Sequence, residues 1–178
     1  MLIAAAACKR AEQPGAGYGD GTKTDKPAPS AATTTAASAV TAMPAYTAEN
    51  LDGSKFDLAA KREKVVLLNV WATWCGPCRE EIPELQILHE RYGTRGFEVI
   101  GASVDESGAD SVKEFIAKQP KMTYPVILDP QGNIANILQT SVLPTSILVD
   151  RKHNIVWKKV GAIERGDLEV EKAIEAAL

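Results

Sequence analysis

Trp74-Cys75-Gly76-Pro77-Cys78 ends an apolar run that begins at Val65 and opens a stretch with helical spacing. Two thiols separated by two residues occur in many settings, and here the setting decides the reading. A strand that delivers Cys75 to the first turn of a helix puts its sulfur beside unpaired backbone N–H groups and the positive end of the helix dipole. Both favour thiolate over thiol, and the thiolate is the species that attacks disulfides. Cys75 is the expected nucleophile. Cys78, one turn further along, is placed to resolve the mixed disulfide. The pair reads as the centre of thiol–disulfide exchange.

Two plainer readings carry less. A structural zinc site needs about four ligands. The chain has one further cysteine, Cys8, and two histidines, His89 and His153, none at ligand spacing from the pair. A purely structural disulfide between Cys75 and Cys78 would close a very short loop, and cross-link stabilisation grows with loop length.

The chain has 178 residues and a formal net charge of −3, which argues against a nucleic-acid footprint. No run approaches the roughly 18 consecutive apolar residues of a membrane-spanning helix. Composition divides the chain. Residues 9–43 contain no Leu, Ile, Phe or Trp and are rich in Ala, Thr, Ser, Gly and Pro. Such a segment buries too little apolar surface to offset its ordering entropy, so it reads as a disordered tether that would span about 30–35 Å. The folded domain is then residues 44–178. Ahead of the tether, Leu2 to Cys8 resembles the end of a bacterial lipoprotein signal, without a basic leader and with a short apolar segment. That resemblance implies a lipid on Cys8 and attachment to a membrane.

Within residues 44–178, Asp52-Gly53 is a turn signal between Ala45–Ala48 and Lys55–Leu58, predicting a β-hairpin. Val65 to Trp71 reads as a central strand covered on both faces. A helix follows from Pro77 to Tyr92, with Ile82, Leu85, Leu88 and Tyr92 at near-helical spacing and Pro83 inside it. Phe97 to Val104 is a second buried strand, and Asp110 to Gln119 a second helix. Pro125 to Leu128 is a short strand and Gly132 to Gln139 a short helix. Ser146–Val149 and Ile155–Val160 form strands around a turn, and Asp167 to Leu178 closes the chain as an amphipathic helix. Strands alternating with helices, then a hairpin, indicate an α/β fold with a mixed sheet.

The strand, the Trp-Cys-Gly-Pro-Cys stretch, the Pro-containing helix and the late Leu143-Pro144-Thr145 together resemble the thioredoxin fold, over residues 44–178. The resemblance implies a cis peptide at Pro144, packed against the cysteine pair and offering backbone hydrogen bonds to an extended substrate. Within that superfamily the chain resembles the TlpA/ResA-like extracytoplasmic reductases. It carries an N-terminal hairpin and an insert, roughly residues 107–124, adding a helix and a short strand. Asn69 stands where cytoplasmic thioredoxins carry a buried Asp. Glu81, three residues after Cys78, matches a glutamate of the ResA-like reductases, and the resemblance implies a proton relay there. Glu80 is expected at the surface.

Gly76 and Pro77 bring no charge between the cysteines. This argues for a reducing couple, nearer about −270 mV than about −120 mV. Trp74 is expected to offer partners a flat apolar flank, and Trp71 to belong to the core. The resulting expectation is a monomeric reductase of protein disulfides in the cell envelope, with no cofactor. A role in cytochrome c maturation fits the group, although Thr145 stands where dedicated haem-maturation relatives often carry an acid. The resemblance implies a membrane thiol-electron donor of the DsbD or CcdA kind. A periplasmic oxidase or isomerase of the same fold is the alternative within this chemistry. A non-catalytic metal-binding or copper-delivery module is the alternative from another class, and a peroxiredoxin-like peroxidase fits less well, lacking its Thr-x-x-Cys setting.

Overall fold

The structure, a computed structural model, describes residues 41–119 and 122–178. The signal-like residues 1–8, Cys8 and most of the expected tether lie outside the described residues. The tether's last three residues lie inside them and are not a tether. Thr41–Ala42 form a strand, β1, and Met43 is 5% exposed, its N–H donating to the carbonyl of His153 at 2.9 Å. The fold therefore begins before residue 44, because an edge strand takes β1 and the core takes the Met43 side chain.

The expected hairpin forms as β2 (Thr47–Asn50) and β3 (Lys55–Asp57), its first strand two residues later than the turn signal suggested. Gly53 turns the chain with φ 84°. A 3₁₀ turn, Leu58–Lys61, leads to β4 (Val65–Trp71). The first long helix, α1 (Gly76–Gly93), runs through Pro83, and β5 (Phe97–Ser103) follows. In the insert, α2 (Ala109–Ala117) is formed, and the strand after it is β6 (Val126–Leu128), beyond residue 124. Then come α3 (Asn133–Ile137), β7 (Thr145–Val149), β8 (Asn154–Val160) and α4 (Leu168–Ala177).

These strands form one eight-stranded sheet in the order β1-β8-β7-β4-β5-β6-β2-β3. β4 lies parallel to β5 and antiparallel to β7, so the sheet is mixed as expected. Every residue of β4 is buried. Its alternate side chains feed two cores: Val65, Leu67 and Trp71 pack with Leu85, Leu88 and Ile174 on the face of α1 and α4, while Val66, Leu68 and Val70 pack with Tyr46, Phe56 and Ile134 opposite. Asn69 belongs by this alternation to the α1 face. It is the polar member of an apolar row.

Its lateral neighbours in the sheet are Gly101 on β5 and Ser146 on β7. The three small or polar residues leave a hollow in that face. A Cβ on Gly101 would lie 2.8 Å from Trp71 Nε1 and 3.4 Å from the Tyr124 ring. The bare backbone is thus what admits the Trp71 indole, which packs at 5.5 Å against Phe115 of α2. Gly101→Ala should overpack this face and lower stability by about 1–3 kcal/mol in chemical denaturation. An unchanged midpoint would show that the indole has room to move.

Candidate active site

The chain leaves the sheet at the end of β4 and re-enters regular structure almost at once. Cys75 N–H donates to the Ala72 carbonyl at 3.1 Å, and α1 begins at the next residue. Cys75 is the N-cap, with φ −81° and ψ 109°, and its Sγ accepts the Cys78 N–H at 3.3 Å. The sulfur fills the position a Ser or Asp oxygen takes at other helix starts. Pro77 sits in the first turn, where a missing N–H leaves nothing unpaired. Cys75 and Cys78 are joined as a disulfide. Cys75 is 6% exposed and Cys78 1%, so an incoming sulfur meets Cys75 first. Gly76 and Pro77 are exposed beside it, as is Trp74 at 69%.

The loop before Cys75 is held by a residue that sequence reasoning missed. Asp105, 2% exposed, accepts the Thr73 N–H at 2.9 Å and the Thr73 hydroxyl at 2.5 Å. The Ser103 hydroxyl donates to the same carboxylate at 2.7 Å. Because β5 is parallel to β4, both strands end on the same side, and Asp105 catches the loop next door. The available signal was a Ser and an Asp alternating just where a buried strand ends.

Glu81 is 1% exposed, on the stripe of α1 that also buries Cys78, Ile82 and Leu85. Asn69 Nδ2 donates to its Oε1 at 2.7 Å, and the Ile163 N–H donates to its Oε2 at 2.8 Å. The second Asn69 hydrogen goes to Ser146 Oγ at 3.0 Å. Burial disfavours the charge and pushes the Glu81 carboxyl up to about 7, against the two hydrogen bonds and the Lys159 charge, which favour ionisation. One turn on, the buried Glu84 accepts the Gly166 N–H at 3.2 Å. Both glutamates therefore anchor the loop between β8 and α4, a role of Glu84 that sequence gave no sign of. A cleft of about 240 Å³ between α1 and this loop, bordered by Glu80, Pro83 and Arg165, reaches down to Glu81. Glu80 is exposed, as expected.

The peptide bond between Leu143 and Pro144 is cis. Pro144 directly precedes β7, and Thr145 is paired with Val70, which sets it beside the end of β4 from which Cys75 rises. The Pro144 carbonyl accepts the Gly161 N–H at 2.9 Å. Thr145 turns its hydroxyl back to the Val142 carbonyl at 2.7 Å, bracing the loop. Pro144 thus has no N–H and an engaged carbonyl. Leu143 has a backbone N–H and C=O without a partner among the described residues. A second cleft, about 280 Å³, runs between Trp74, Val104, Gly132 and Leu143.

A family model described as Redoxin matches residues 25–178. The thiol-disulfide oxidoreductase ResA of Bacillus cereus is 35% identical over 126 residues, covering 71% of this chain and 72% of that protein. A crystal structure from Chlorobium tepidum, named as a thiol:disulfide interchange protein DsbE, superposes with a TM-score of 0.71 at 29% identity, covering 78% of this chain and 96% of that one. A DsbF homologue from Corynebacterium diphtheriae superposes with a TM-score of 0.69 at 30% identity, covering 78% and 87%.

The Glu81 carboxyl ties stability to pH. Its pKa rises from the ordinary 4.5 to about 7 on folding, so between those values the folded chain binds more protons than the unfolded one. Its contribution is therefore fully present below about pH 4.5 and is lost as pH rises through about 7. The loss is on the order of 3 kcal/mol. Urea midpoints measured from pH 4.5 to 8 should show this decline, and Glu81→Gln should flatten it. An equal slope in both proteins would place the titration elsewhere.

Proposed function

We propose, from the premise that this chain belongs to the Redoxin family and is a thiol–disulfide oxidoreductase, that it works as a reductase of protein disulfides in the cell envelope. The observation that supports this best is Cys75 at the head of α1, its sulfur over the Cys78 N–H, with the carboxyl of Glu81 one turn behind. The dipole and N–H groups of the helix start lower the cost of a thiolate on Cys75. No charged group lies between the cysteines to stabilise the reduced form further.

In the reduced protein the Cys75 thiolate attacks one sulfur of a substrate disulfide. A Cys75–substrate bond forms, and the substrate bond breaks to release the other sulfur as a thiolate, which takes a proton from water. Cys78 then passes its proton to Glu81 and attacks Cys75 Sγ. The Cys75–Cys78 bond forms, and the second substrate sulfur leaves, taking up a proton. The substrate gains two electrons and the cysteine pair loses them. The Glu81 cleft lets the proton exchange with solvent. An extended substrate is held by the N–H and C=O of Leu143, the residue before the cis-proline, and flanked by Trp74.

Electrons return from a membrane thiol donor of the DsbD or CcdA kind, and a lipid on Cys8 would hold the domain near it. No helix among the described residues is long and apolar enough to cross a membrane. Substrates of the cytochrome c maturation class, whose paired cysteines must be reduced before haem attachment, suit such a reductase.

Equilibration of the Cys75–Cys78 pair against glutathione or dithiothreitol buffers tests the direction. A potential near about −250 mV or below is expected, whereas about −120 to −180 mV would make the protein an oxidase or isomerase. Cys75→Ser should abolish turnover, and Cys78→Ser should accumulate mixed disulfides visible on non-reducing gels. Full reductase activity in Cys75→Ser would sink the mechanism.

A further inference from the structure

The row of β4 that faces α1 is apolar except at Asn69, which is 1% exposed. A buried amide there needs a reason, since burying a polar group costs unless its hydrogen bonds are met. Its two donor hydrogens are both used, one on Glu81 Oε1 at 2.7 Å and one on Ser146 Oγ at 3.0 Å. Ser146 is its direct cross-strand partner, two residues beyond Pro144. Gly101, on the other side, has no side chain, and the space a Cβ would take there is filled by the Trp71 indole and the Tyr124 ring. The other Glu81 oxygen is held by Ile163, two residues beyond the Gly161 that holds the Pro144 carbonyl.

We propose that Asn69 is a positioning residue for Glu81: anchored by Ser146, it presents N–H to one carboxyl oxygen and so holds the group open as a proton acceptor for the cysteine pair. The inference rests on the reading of Glu81 as the proton relay. An amide side chain suits this task better than an acid of the same size would. A carboxylate at residue 69 would face the Glu81 carboxylate, and two such groups in one site cannot both ionise without cost. With Asn69 in place, the donor hydrogens on both oxygens favour the unprotonated acceptor, and burial keeps its affinity for a proton high. The other groups around Glu81 are Lys159 on β8, Tyr124 ahead of β6, and Glu80, Glu84, Glu164 and Arg165 around the cleft. Of these, Lys159 favours the carboxylate.

The test is the rate of disulfide exchange with a disulfide-bonded peptide from pH 5 to 9, using the full chain, alongside the ¹³C shift of the Glu81 carboxyl. Glu81→Gln should remove one limb of the profile. Asn69→Ala should move that limb, and the carboxyl titration, up by about one pH unit. Ser146→Ala, a milder change, should move both in the same direction by less. In the Glu81→Gln background Asn69→Ala should change nothing further. The inference is overturned if Asn69→Ala and Ser146→Ala leave the limb in place while Glu81→Gln removes it. It is equally overturned if Asn69→Ala has the same effect with and without Glu81. A profile that Glu81→Gln leaves untouched would overturn the relay itself, and this inference with it.

Discussion

A carboxyl group buried beside an apolar layer must be supplied with hydrogen-bond donors, and the placement of Glu81 organises much of this molecule around that need. The donors come from β4 through Asn69 and from the segment after β8 through Ile163. Asn69 in turn needs an acceptor, and finds it in Ser146 on β7. Helix α1, the centre of the sheet and the approach to α4 are thereby tied at one point. Glu84 repeats the arrangement a turn later on Gly166. Burying a carboxyl is costly even so, which is why its pKa rises toward neutrality rather than staying in the usual carboxylate range.

The same tie reaches the two halves of the redox centre. Cys78 lies on the stripe of α1 that Glu81 helps seat, and the Ile163 segment also carries Gly161, which engages Pro144. The cis-proline and the Glu81 carboxyl are thus held by the two ends of one three-residue segment, Gly161 to Ile163. Asp105 does for the front of the site what Asn69 does for its back. Its bonds to Thr73 fix the chain just before Trp74 and Cys75, so the exposed indole and the outer sulfur stand on a braced loop. The exposed indole of Trp74, next in the chain to the outer cysteine, lines one cleft together with Leu143.

Much of the fold was legible because its signals are local. The unbroken run from Val65, the spacing of Ile82, Leu85 and Leu88, and the Asp52-Gly53 turn each follow from the periodicity of a few neighbouring residues. The start of the domain was misplaced for the opposite reason. Thr41 to Met43 have a tether's composition and join the fold only because β8, far along the chain, offers an edge. The site divides in the same way. The cysteine pair and Glu81 lie close together in the chain, and Pro144 is read from its neighbours Leu143 and Thr145. Asp105 and Glu84 answer to partners 32 and 82 residues away, which no local pattern records.

By itself, the sequence determined the strand that carries the cysteines to a helix start and the chemistry available to two thiols there. Those depend on backbone periodicity, on capping and on residue type, all written within a few residues of one another. Only the tertiary structure decided that Glu81 is buried rather than solvated, that Asn69 spends both its hydrogens, and that Leu143 rather than Pro144 has backbone groups without a partner among the described residues. Burial and hydrogen-bond partnership are properties of segments brought together across the sheet. They exist only once β4, β7, α1 and the loop after β8 have met.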